Sequence, residues 1–93
     1  MPDTYVVRST TTDMLGRVID REVVYDNLLD QDYARKLVRR WYGVKRFKTA
    51  ATTTDGDKLQ YGSKITFYGG KLRKITFFIS SKAVYDEHQS YTN

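Results

Sequence analysis

Asp30-Gln31-Asp32-Tyr33-Ala34-Arg35-Lys36-Leu37-Val38-Arg39-Arg40-Trp41-Tyr42-Gly43 reads as a helix with both of its ends. Asp30 has the short acceptor side chain that caps orphan N–H groups, and Asp32 meets the positive end of the dipole in the first turn. Leu29 is placed to staple onto Ala34. At about 100° per residue, Tyr33, Ala34, Leu37, Val38, Trp41 and Tyr42 share one arc, and Arg35, Lys36, Arg39 and Arg40 fall on the opposite one. Gly43 follows directly, where a left-handed residue closes the last turn. The helix is therefore predicted over residues 31–42. Its single Trp41, on the apolar arc, is expected in the core.

On both sides of this helix the chain favours strands. Residues 4–12 and 17–25 are rich in Val, Ile and Thr and flank Asp13-Met14-Leu15-Gly16, a turn with a glycine available for positive φ. Beyond the helix, residues 44–54, 58–68 and 71–80 form three more β-rich runs, separated by Asp55-Gly56 and Gly69-Gly70. The expected order is β-β-α-β-β-β. The expected fold is α+β, one antiparallel sheet with one amphipathic helix packed on one face, as a single domain over residues 1–80. Residues 81–93 are expected as a polar C-terminal tail or short helix.

Lys64-Ile65-Thr66-Phe67 recurs as Lys74-Ile75-Thr76-Phe77, so two registers compete in the last hairpin. A two-residue Gly-Gly loop sets Ile65 opposite Lys74. A three-residue loop, Gly69 to Lys71, sets Ile65 opposite Ile75 and keeps apolar residues together, so it is the expected one. Tyr61, Ile65, Phe67, Ile75, Phe77 and Ile79 would then face inward. Lys64, Thr66, Tyr68, Leu72, Lys74, Thr76 and Phe78 would face outward, with Phe78 covering Gly62. In the preceding hairpin Phe47 is expected opposite Ile65, with Lys48 outward beside Lys64.

Charge is distributed in blocks. The 93 residues carry a net +5, but residues 1–32 sum to −4, residues 33–82 to +11, and residues 83–93 to −2. No carboxylate occurs between Tyr33 and Thr54, a stretch holding Arg35, Lys36, Arg39, Arg40, Lys45, Arg46 and Lys48. Such an excess points to an anionic partner.

Catalytic chemistry finds few materials. Cysteine is absent, which removes thiolate nucleophiles, thiolate metal sites and disulfides. The one histidine, His88, lies among polar residues beside Asp86 and Glu87. Gly69-Gly70-Lys71 belongs to a hairpin and lacks the helix N-terminus of a phosphate loop. Asp20 and Glu22 are two apart on a strand, as solvated strand faces often have it, and Asp55 and Asp57 flank a turn glycine before they resemble a metal site. No enzyme, cofactor or metal is expected.

Binding remains. The expected partner surface is Arg35, Lys36, Arg39, Arg40, Lys45, Arg46 and Lys48, with Lys64, Tyr68, Lys74 and Phe78 on the sheet as a stacking platform. Nucleic acid is the first expectation. The alternative is an inhibitor or modulator of phage or mobile-element type, docking on an acidic surface of a host protein complex. No apolar run is long enough to span a bilayer, no leader pattern is seen, and the chain is expected in the cytoplasm, that of the host cell if it is phage-encoded.

Overall fold

A computed structural model describes residues 4–52 and 58–82. The elements are β1 Tyr5–Thr12, β2 Val18–Leu28, α1 Gln31–Tyr42, β3 Lys48–Thr52, β4 Lys58–Tyr68 and β5 Lys71–Ser81. The fold is the expected α+β one. Its five-stranded antiparallel sheet runs β2-β1-β5-β4-β3, so the last strand returns to pair with the first. The Asp55-Gly56 turn, Asp57, His88 and residues 83–93 lie outside the described residues.

The helix forms as its sequence dictates. The Asp30 carboxylate accepts from the Asp32 N–H, and Gly43 at φ 73° sends its N–H to the Arg39 carbonyl. Ala34 and Val38 are fully buried against Val7, Phe77 and Ile79 of β1 and β5, with Val44 completing the core. The staple differs from expectation. Leu29 is 83% exposed, and Leu28, the end of β2, packs against the core instead. β2 itself runs three residues further than its β-branched stretch, through Asn27 at φ 57° and register shifts against β1.

At the β1–β2 turn the Asp13 carboxylate accepts from the Leu15 and Arg17 N–H groups and pairs with the Arg17 guanidinium at 2.7 Å. These contacts, the Arg17 N–H foremost, hold the Asp13 carboxyl below the ordinary carboxylate value.

The register of the last hairpin corrects the expected one. Gly69 and Gly70 take φ 62° and 78°, the two successive positive values of a tight two-residue turn. Ile65 therefore pairs with Lys74, Lys64 with Ile75, and Gly62 with Phe77. Every described side chain of β4 changes face relative to expectation. Ile75, Phe77 and Ile79 face the helix as expected. Tyr61, Ile65 and Phe67 lie on the opposite face with Leu72, Lys74, Thr76 and Phe78.

The reason lies in the segment after the helix. Residues 44–47 are not strand but cross β4 on the helix side. A β-carbon on Gly62 would meet the Arg46 carbonyl and Val44 Cγ1, each at 2.6 Å. The covered position on β4 thus requires glycine, and the apolar residues on either side of it point away. Phe47 precedes β3 and packs on the core rather than pairing with Ile65. β3 is shorter than expected, and its first pair is Lys48 with Tyr61.

Candidate functional site

The cationic residues of the helix and of the segment after it fall into three groups. Arg35 is engaged by the fold: it pairs with Asp32 one turn back and donates to the Gln60 side chain on β4, leaving 22% of its side chain exposed. Arg39 and Arg40 splay to opposite flanks. The Arg39 guanidinium lies 5.8 Å from the Phe47 ring centroid, and that of Arg40 lies 5.6 Å from the Trp41 ring. Lys36, Lys45 and Arg46 are exposed.

Trp41 corrects the core expectation. It is 63% exposed although it sits on the apolar arc. Angle around the helix decides direction, but burial also needs a layer beneath. In the last turn Tyr42 takes the central position, its ring 4.7 Å from Phe77. Trp41 is left on the flank under the Arg40 guanidinium, with Tyr33 exposed two turns earlier. On β2, burial first, with smaller contributions from Tyr42 and Tyr33, pushes the Tyr25 phenol up.

The sheet platform is dispersed. Lys74 and Phe78 share the face opposite the helix, and Lys48 joins them through its pairing with Tyr61. Lys64, paired with Ile75, lies on the helix side, so it does not stand beside Lys48 or Phe78. The Tyr68 side chain lies outside the described residues. Phe78 already has neighbours on the sheet: Arg8 lies 5.1 Å from its ring centroid, and the Tyr61 centroid is 6.4 Å away. It also pairs with Tyr61 and not with Gly62. The exposed apolar residues on this face include Ile65, Phe67 and Leu72, and Val23 on β2 through its pairing with Arg8.

The apolar arc of the helix thus pointed Trp41 to the core, and the structure has it on the surface. The signal was present: Trp41 is flanked by Arg40 and stands two residues before the terminating Gly43, so only Tyr42 of the helix remains beyond it.

Compared with known proteins, the chain matches no family model, no curated protein and no solved structure. Among the described residues no helix is long and apolar enough to cross a membrane.

Proposed function

We propose that this chain is a small non-enzymatic binding domain for nucleic acid, and that the C-terminal half of the helix with residues 43–46 is its contact surface. The observation that carries the proposal is the exposed Trp41, capped by Arg40, within a stretch that has no carboxylate from Tyr33 to Thr54. Exposed aromatic rings stack on bases with little regard to sequence, and the surrounding lysines and arginines hold phosphates. Single strands suit this better than duplex, because their bases are free to stack. Lys36, Arg40, Lys45 and Arg46 are the phosphate contacts, and Trp41 is the stacking contact.

The test is a titration of the purified protein with mixed-sequence single-stranded DNA and RNA at low salt. The triple variant Lys36→Glu, Arg40→Glu, Lys45→Glu keeps Arg35 and the core, so it should fold and should lose binding. A wild-type Kd weaker than about 10⁻⁴ M would place the chain below ordinary non-specific binders and reject the proposal.

One observation favours a second reading. Trp, Tyr and Arg dominate protein-interface hot spots, and Tyr33, Arg40 and Trp41 provide one of each on a single flank. An acidic protein surface is the partner that this flank would fit. It becomes the leading proposal if nucleic acid fails.

A further inference from the structure

The β4–β5 hairpin reaches beyond the strands that flank it. β1 pairs with β5 only as far as Thr12 with Lys74, and β3 pairs with β4 only as far as Lys48 with Tyr61. Towards the Gly69-Gly70 turn, residues 66–68 and 71–73 therefore pair with each other alone among the described strands.

The helix-side face of this ribbon is basic. Lys64, paired with Ile75, and Arg73, paired with Thr66, both stand on it. No carboxylate occurs in residues 58–81. Asp13, which follows the end of β1, is taken up by the Arg17 guanidinium and by two N–H groups. Neither Lys64 nor Arg73 belongs to an ion pair among the described residues. The Arg73 Nε is buried with no hydrogen-bond partner, although buried N–H groups are normally satisfied. A half-buried guanidinium that the fold leaves without an acceptor suits an external anion.

This face also continues the surface at the helix end. The Arg46 carbonyl lies over Gly62, and Lys64 is the next residue of β4 on that side, about 7 Å along the strand. From the helix end, Arg46, Lys64 and Arg73 thus succeed one another towards the hairpin turn. A row of cations with no carboxylate between them matches a polyanion better than a single anion.

We infer, resting on the nucleic-acid reading, that a single strand stacked on Trp41 continues past Arg46 onto the helix-side face of the hairpin, where Lys64 and Arg73 hold two further phosphates. The hairpin thereby lengthens the contact without adding a second stacking site.

The experiment titrates the full chain with mixed-sequence single-stranded DNA of about 4 and about 16 nucleotides, the range of single-strand site sizes, and follows Trp41 fluorescence at several salt concentrations. Wild type should bind the longer strand more tightly. Lys64→Gln with Arg73→Gln should weaken the longer strand at least about tenfold and make its slope of log K against log salt shallower by about 1.4, the share of two single-strand phosphates. The affinity of the short strand, the quenching of Trp41 at saturation and the unfolding midpoint should stay as in wild type. Lys64→Arg with Arg73→Lys, which keeps both charges, should retain the wild-type slope. Arg21→Gln with Lys58→Gln, which removes the same charge elsewhere on the sheet, should weaken binding far less. Absence of binding by wild type with either strand would overturn this path and the nucleic-acid reading together. Quenching of Trp41 with an unchanged long-strand affinity and slope in Lys64→Gln with Arg73→Gln, or equal weakening in Arg21→Gln with Lys58→Gln, would overturn the path alone.

Discussion

The carbonyl oxygen of Arg46 lies over Gly62 so closely that a β-carbon there would stand 2.6 Å from it. One residue on β4 thereby fixes the path of the chain leaving the helix. That path carries Lys45 and Arg46 to the surface beside the helix end, and it buries Val44 in the core.

Gly62→Ala should therefore destabilise the protein by at least about 1–3 kcal/mol, the usual range for overpacking, since the atom met is backbone and cannot rotate away. Urea unfolding measures it. A cost below about 0.5 kcal/mol would mean that residues 44–47 do not lie against β4.

Trp41→Ala should cost less than about 1 kcal/mol, because most of the indole is already in water. Phe77→Ala, at a position 1% exposed, should cost about 3–5 kcal/mol. Chemical unfolding of the two variants checks the contrast. Equal losses would return Trp41 to the core.

Asp30→Ala should lower stability by about 0.5–2 kcal/mol through loss of the carboxylate that accepts from the Asp32 N–H. Thermal unfolding followed by far-ultraviolet circular dichroism provides the measurement, and Asp30→Asn should restore most of the loss.

The Asp13 carboxyl has its pKa lowered by the Arg17 N–H, the Arg17 guanidinium and the Leu15 N–H. A carboxyl depressed in the folded state stabilises the fold above its unfolded value, 3.8, and that contribution fades as pH falls through the lower folded value. Asp13→Asn should accordingly flatten the decline of the unfolding midpoint on the acid side of pH 4 and leave its shape near neutrality unchanged. An acid limb as steep as that of wild type would contradict the assignment.

Much of the fold was legible in the sequence because local signals agreed with one another. Asp30, the apolar arc and Gly43 bounded the helix to the residue, and Gly16 and the Gly69-Gly70 pair marked two hairpins. The register of the last hairpin was not legible from pattern. Lys64-Ile65-Thr66-Phe67 repeats in Lys74-Ile75-Thr76-Phe77, and matching the two copies assumes that both strands bury the same face. On β4 the helix-side position is occupied by backbone over Gly62, a long-range contact that no local pattern announces. Ile65 and Phe67 consequently point to the other face. The cations of the candidate surface were legible as a block, and their grouping was not. Arg35 is drawn into the fold by Gln60, and Lys64 and Lys74 are parted by the same change of register. The exposure of Trp41 depended on where the layer beneath the helix ends.

Trp41 is the only tryptophan of the chain, so its fluorescence reports on the proposed contact directly. The decisive measurement is a titration of that fluorescence with a mixed-sequence single-stranded oligonucleotide at several salt concentrations. Stacking on Trp41 with four to six cations engaged predicts saturable quenching, and log K falling against log salt with a slope of roughly −3 to −5. Trp41 emission that stays unchanged while no binding is detected, or binding whose affinity is indifferent to salt, would contradict the proposed nucleic-acid surface.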